Sequence, residues 1–541
     1  MTKFIFVTGG VMSGLGKGMV TCSIGKTLQA RGLKVNAIKI DPYLNADAGT
    51  MNPYIHGEVY VLEDGYEADM DLGAYERFLG LRLTRSNNIT TGQIYQEVIR
   101  KERAGDYLGQ CVQIIPHITD EVKRRIRLVA QTTRPDVLLV ECGGTVGDIE
   151  GLPFLEAFRQ IRLEEKPGDT LLVHVTLVPI LRAVGELKTK PTQHSVKELR
   201  EIGLQPSVIV ARCEDGIIDT DTRRKIALYS SVEERAVFTS YNVETTYQLP
   251  QVLDSQGMGQ LVCQYLQLEP REPDWREWNG IVKSFLDASE TVRIAMCGKY
   301  ANLADCYVSV NEALKHAGAF CGTRVNIDWI ETEEFEATDK AESLAVYDGV
   351  LIPGGFGARG TEGMIEAIRY AREKDIPFLG ICYGLQMAVI EYARNVLGLD
   401  TANTTECAPN TLYPVIDLLP EQKELRELGG TMRLGQDTID VVKGTVAHRL
   451  YKSTTISERH RHRWEVNPEY WDKAKRAGLV FSGHSSDGRR KEILELPDKY
   501  FYFATQFHPE FMSRPGSPDP AYYGFVKAAL DRKKKKAKPE L

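Results

Sequence analysis

The chain has 541 residues, 43% hydrophobic and 26% charged, a composition typical of globular proteins and a length too great for one core, so about two to four domains are expected. The net charge of −7 argues against a general nucleic-acid binder, and the longest apolar run, LLVHVTLVPIL, is too short to cross a bilayer. No signal peptide precedes the first apolar run, and the ten cysteines contain no Cys-x-x-Cys pair, which fits neither a zinc cage nor a secreted disulfide framework and points to a reducing cytoplasm.

The first predicted element is a strand, KFIFVTGG, ending in Gly9 and Gly10. Helical spacing then predicts a helix from about Gly16 to Ala30, with Gly32 as its stop. Lys17 and Lys26 each resemble a phosphate-loop lysine, yet the strict pattern fails at both. Lys17 is followed by Gly18, and Lys26 has Val20 where the first glycine belongs. A phosphate needs glycines after a strand and a helix N-terminus aimed at the anion, which selects Lys17 and leaves Lys26 as a solvated helix residue.

Further strands are predicted at KVNAIKI, DVLLVECGG, TLLVHVTLV and PSVIVARC, separated by amphipathic segments such as Thr119 to Thr132. This is the rhythm of an α/β domain with a doubly wound parallel sheet, assigned to residues 1–266. LEPREPDWREW breaks the rhythm and reads as a linker, 267–290, leading into a helix. A second α/β domain, 291–530, runs through TVRIAMCGKY, DGVLIPGGFG and IPFLGICYG to YFYFATQFHPEF and a helix near Ala521 to Leu530. Residues 531–541, DRKKKKAKPEL, read as a basic, frayed tail.

GICYGLQ places Cys382 after a short strand and before a helix, the setting of a nucleophile elbow, with Gly380 and Gly384 allowing the sharp turn. The helix N-terminus would favour a thiolate. Taken alone, a buried structural cysteine is an equal alternative. QFHPE adds His508 as a base and Glu510 to orient it, two apart on a strand-like segment, and PGGFG offers backbone donors for an oxyanion.

With those three motifs in order, residues 291 to about 530 resemble a class I glutamine amidotransferase domain. The resemblance implies that Cys382 attacks the glutamine amide, His508 moves the proton and Glu510 orients His508. Gly355 and the N–H of Tyr383 would form the oxyanion hole. Gly384, Leu385, Gln386, Glu406 and Arg463 would hold glutamine, the acid meeting its ammonium and the arginine its carboxylate. Tyr383 stands where leucine is common, a change expected to be harmless because only its backbone acts.

The first half carries GGVMSGLGKG, KIDPYLNADAGTMNPYIHGEV, EADMDLGAYERF, ECGGTVGDIE and GELKTKPTQHSVKELR. With the amidase, these blocks resemble the CTP synthase family over essentially the whole chain. That resemblance implies a bifunctional enzyme that phosphorylates UTP with ATP and aminates it with ammonia delivered through an internal passage. It assigns ATP to Gly14, Leu15, Gly16, Lys17, Gly18 and Met19, with Asp71 and with Tyr241, Asn242 and Val243. Lys17 would act on the transferring phosphoryl group. Asp71 and Glu141 would hold Mg2+, because Gly18 occupies the usual Ser/Thr place. UTP and the inhibitory product CTP would bind through Ser13, Lys188, Thr189, Lys190, Pro191, Thr192, Gln193 and Lys225, with Asp148, Ile149 and Glu150 helping to receive CTP. GTP activation through Arg359 and Arg433, a homotetramer and filament formation are implied by the resemblance alone. The rivals are another P-loop amidotransferase, such as a cobyrinic-acid amide synthase, and a P-loop switch or filament protein with an inert amidase domain.

Overall fold

The computed structural model describes residues 2–181, 185–214, 216–269, 271–299, 304–336, 340–419 and 432–537. They divide into two compact units, Met1–Thr50 with Asp71–Val282, and Met51–Met70 with Lys283–Leu541.

The first unit is built on a seven-stranded sheet ordered Val237–Ser240, Val208–Arg212, Thr170–Leu177, Lys3–Gly9, Val137–Cys142, Val35–Asp41 and Asn88–Thr90. Every pairing is parallel. Lys3–Gly9 lies at the centre, and buried on both faces it reads as an unbroken apolar run rather than an alternation. The chain leaves it toward one edge first and reaches the other edge later, so the carboxyl ends of the central strands form the switch-point crevice where such sheets bind ligands. The helix Lys17–Ala30 starts there, with Gly16 as a left-handed N-cap, and Gly32 ends its C-terminal turn at φ +78°. Thr119–Thr133 is a helix as its periodicity predicts. The short outer strand Asn88–Thr90 has too little pattern to be seen in sequence.

The second unit carries a nine-stranded mixed sheet. Thr323–Glu331, Glu290–Gly298, Gly349–Ile352, Phe378–Ile381 and Tyr502–Thr505 pair in parallel, in that order. Lys491–Glu495, Val480–Ser485, Arg433–Val441 and Thr455–His462 extend it antiparallel.

Residues 51–70, inside the stretch read above as one N-terminal domain, pack with this unit. They form a hairpin, Val59–Val61 with Glu67–Asp69. The Glu58 carboxylate accepts from Ser309 N at 3.0 Å and Ser309 Oγ at 2.5 Å, at the start of the helix Val308–Cys321, so an anion meets that helix's N-terminal N–H groups. Arg459, fully buried, donates to Tyr60 Oη at 3.2 Å and Val61 O at 3.1 Å.

The final helix, Pro520–Ala537, runs through most of the stretch expected to fray; residues 538–541 lie outside the described residues. Its basic end is anchored: Lys534 pairs with Glu290 at 3.0 Å, Lys533 Nζ donates to Thr291 O and Arg532 to Tyr347 O at 3.3 Å. Cations at a helix C-terminus also suit its dipole. Among the described residues no helix is long and apolar enough to cross a membrane.

Candidate active sites

In the first unit, Gly10 to Gly16 form an irregular loop with positive φ at Val11 (80°), Gly14 (76°) and Gly16 (85°). Ser13 and Gly14 are exposed on it, Leu15 is buried, and Met19 lies in the first turn of the helix. Lys17 opens that helix and its Nζ donates to Gly144 O at 2.8 Å. Burial lowers its pKa, opposed chiefly by the nearby Glu141 carboxylate. A Cβ on Gly18 would lie 2.7 Å from Asp71 Oδ1, so the Ser/Thr of the strict motif would fit here only if the Asp71 carboxylate moved aside.

Sequence reading passed over Lys39. Its Nζ meets Asp71 Oδ2 and lies 3.2 Å from Glu141 Oε1, joining the two acids expected to hold Mg2+. The Tyr75 hydroxyl donates to Glu141 Oε2. The available signal was a charged residue inside the fully buried strand Val35–Asp41, where only a paired charge is tolerated. Lys26 corrects an expectation: it is not simply solvated, because its ammonium lies 4.4 Å over the Trp278 ring and burial lowers its pKa. Helical position showed only that Lys26 points away from the loop; the tryptophan comes from a helix 252 positions later, Arg276–Leu286 (278 − 26).

KTKPTQ is more than a loop, since Lys190 to Gln193 form the first turn of the helix Lys190–Glu201, preceded by Lys188 and Thr189. Lys188 pairs with Glu186 at 2.6 Å, and Lys225 adds its charge to the same carboxylate, lowering that acid's pKa after the Lys188 contacts. Asp148 Oδ2 accepts from Thr145 N at 2.7 Å, while Ile149 and Glu150 are exposed in a short turn beyond. Tyr241, Asn242 and Val243 follow the strand Val237–Ser240, with Asn242 Oδ1 held by Arg212 at 2.5 Å.

A buried imidazole joins the glycine loop's strand to the KTKPTQ helix. His174 Nδ1 lies 2.9 Å from Thr8 Oγ1 and Nε2 2.6 Å from Ser195 Oγ. A Cβ on Gly10 would fall 1.5 Å from Ser195 Oγ. Burial, then the charge of Lys17, pushes the His174 pKa down to about 3 from 6.5. The unfolded imidazole takes a proton below about 6.5 and the folded one refuses it until about 3, so stability is present above the unfolded pKa and lost as pH falls through that window. The slope is at most about 1.4 kcal/mol per pH unit. His174→Gln is expected to flatten the acid limb of Tm against pH; an unchanged limb would remove His174 from the acid response.

In the second unit, Cys382 follows the strand Phe378–Ile381 and caps the helix Tyr383–Asn395 with φ 52° and ψ −98°, the strained conformation of an elbow. Gly384 is required because a Cβ there would sit 2.3 Å from Ile352 O. His508 and Glu510 lie just past the neighbouring strand Tyr502–Thr505, not on a strand as expected, because Pro509 opens a short 3-10 turn. His508 Nδ1 is 2.6 Å from Glu510 Oε1. Burial opposes charge on His508, but Glu510 and the Cys382 sulfur raise its pKa to about 10, so it is poised as an imidazolium beside the sulfur. Cys382 Sγ also lies 3.7 Å from Gln506 Nε2.

The loop after Gly349–Ile352 carries Gly354, whose Cβ would lie 2.8 Å from His508 Cε1, and Gly355, which faces Lys299 and Tyr383. Glu406 accepts from Gly357 N at 2.7 Å. Burial raises its pKa, while that bond, Lys299 and Arg463 pull it down, so the acid and the arginine expected to grip the two ends of glutamine lie within electrostatic reach of each other. Leu385 is buried in the elbow helix. Gln386 Nε2 donates to Trp464 O at 2.9 Å, and its buried Oε1 has no hydrogen-bond partner among the described residues, which suits a substrate donor. Lys299, which sequence reading did not select, is 3% exposed, and burial lowers its pKa to about 8.

Family models for the CTP synthase N-terminus and for class I glutamine amidotransferase match residues 3–268 and 302–528. The chain is 58% identical to the CTP synthase of Pyrococcus abyssi, over 99% of both chains. It is 57% identical to that of Archaeoglobus fulgidus, over 98% of both. The solved glutaminase domain of the Trypanosoma brucei enzyme with bound acivicin aligns with 44% of this chain and 94% of its own, at 37% identity and a TM-score of 0.42. With matches that run from end to end and take in both units, the chain belongs to the CTP synthase family.

Proposed function

We propose that the chain makes CTP by two reactions with the residue roles that follow. Cys382 attacks the carboxamide carbon of glutamine, and the oxyanion forms between Gly355 and Tyr383 N. His508 passes a proton to the departing ammonia, and water then cleaves the thioester to glutamate. The reading is supported by the His508–Glu510 contact of 2.6 Å and the elbow at Cys382.

In the first unit, the ATP γ-phosphoryl moves to the uracil O4 of UTP. Ammonia adds at C4, and phosphate leaves with the oxygen. Lys17 faces the transferring group. Asp71 and Glu141 would hold Mg2+: the residues fit, since two carboxylates converge on the single ammonium of Lys39 and hard oxygens suit the ion. When bound, it would neutralise phosphate charge. The helix start at Lys190 and the cations Lys188 and Lys225 suit a triphosphate.

GTP activation is assigned to Arg359, whose side chain is 46% exposed. Arg433 is withdrawn from that role: its guanidinium is largely buried and spent on Asp437 and Glu492 at 2.5 Å and Glu465 at 3.7 Å. A homotetramer, filament assembly and a cytoplasmic location belong to the same reading, the last supported by ten free cysteines.

The observation that carries the reading is the end-to-end match to CTP synthases together with the triad geometry. Incubation with UTP, ATP, Mg2+ and glutamine should yield CTP and glutamate; glutamate without CTP would defeat the assignment of the first unit. Lys188→Ala should weaken UTP use and CTP inhibition by similar factors, about ten- to a hundredfold, because the two nucleotides share a triphosphate. A change confined to one nucleotide would defeat the shared site.

A further inference from the structure

The segment Pro353–Gly357 has no regular structure and carries three glycines, yet it must present a backbone donor in one orientation. Its own sequence does not hold it. The holding groups come from elsewhere in the second unit. The Tyr383 hydroxyl donates to Gly357 O at 2.7 Å, with Thr361 Oγ1 at 3.2 Å and Cys407 Sγ at 3.4 Å around it. Lys299 Nζ donates to Phe356 O at 2.9 Å and also to Gly357 O, and lies 4.3 Å over the Tyr383 ring. Gly357 N in turn donates to Glu406 at 2.7 Å. Both polar backbone groups of Gly357 are thereby held, and the side chain of Tyr383 is 99% out of solvent, being 1% exposed.

We propose that the Tyr383 hydroxyl is a positioning group of the glutaminase, locking the glycine loop so that its oxyanion donor faces the donor on Tyr383's own backbone. One residue then supplies one half of the oxyanion hole through its N–H and sets the other half through its phenol. This replaces the expectation that a tyrosine at this position is inconsequential. A leucine has no donor for Gly357 O and would leave that carbonyl to Lys299 and to the longer Thr361 Oγ1 contact at 3.4 Å. The inference rests on Cys382 being the glutamine nucleophile. Burial keeps the Tyr383 hydroxyl protonated, its pKa raised well above the usual phenol value, so the donor persists across the working pH range.

The oxyanion forms only after attack, so loosening the loop lowers kcat more than it raises KM. Tyr383→Phe is expected to cut kcat for glutamine hydrolysis by about three- to tenfold, the scale of one hydrogen bond, with KM changed less than about twofold. Tyr383→Leu should do the same. Alkylation of Cys382 by iodoacetamide is a direct displacement that builds no oxyanion, so its rate should stay within about twofold of wild type in both variants. Wild-type kcat in Tyr383→Phe overturns the proposal, whether or not Tyr383→Leu is impaired. Equal loss of hydrolysis and alkylation also overturns it, because the hydroxyl would then serve only the general integrity of the site. A wild-type protein inert toward glutamine would instead defeat the nucleophile assignment on which the proposal rests.

Discussion

Cys382→Ala is expected to abolish glutamine-dependent CTP formation, by roughly four orders of magnitude or more, while synthesis from added ammonium persists. Removal of a nucleophile leaves only what binding and the oxyanion donors contribute, and losses of that order follow when one member of a triad is deleted. Alanine keeps a Cβ at φ 52°, so the elbow carries the same backbone strain and the fold is preserved. The ammonium arm is the decisive measurement. The groups proposed to handle ATP and UTP, Lys17, Asp71, Glu141 and Lys188, all belong to the first unit, whereas Cys382 belongs to the second. Parallel loss with both nitrogen sources, in a variant with wild-type circular dichroism and Tm, would show that Cys382 does more than release ammonia.

Lys17→Ala is expected to slow ammonium-dependent synthesis by on the order of a hundredfold, since a charge placed on a transferring group contributes about 3 kcal/mol to transition-state stabilisation. Its position supports this size of effect. Lys17 starts the helix behind Gly16 and lies within the field of Glu141, Lys39 and Asp71. Glutamine hydrolysis without nucleotide should be unaffected. Lys26→Ala supplies the contrast: it loses the cation over Trp278, at 4.4 Å, which costs stability by about 0.5–2 kcal/mol and leaves turnover alone. Similar turnover in the two variants would show that the phosphate lysine has been misassigned.

The sequence by itself determined the type of most elements and the identity of the triad. KFIFVTGG, DVLLVECGG and TLLVHVTLV are apolar runs closed by polar or glycine-rich segments and appear as central parallel strands. The helix start at Lys17 and the elbow at Cys382 were legible because both depend on glycines at fixed short offsets, which is local chemistry. The partners of those elements were decided only by the tertiary structure. Lys39, Asp71 and Glu141 come from separate segments of the sheet unit, and no local period relates them. Glu58 reaches Ser309 across 251 residues, which draws residues 51–70 out of the stretch read as the first domain and into the second unit. Lys26 gained an aromatic partner, Arg433 lost its freedom to three carboxylates, and Tyr383 acquired a role through Gly357. The physical reason is common to these cases. Periodicity and turn chemistry report how a segment meets solvent and its own backbone, whereas the use of a charged or hydroxyl group depends on which distant side chains packing brings within about 3 Å.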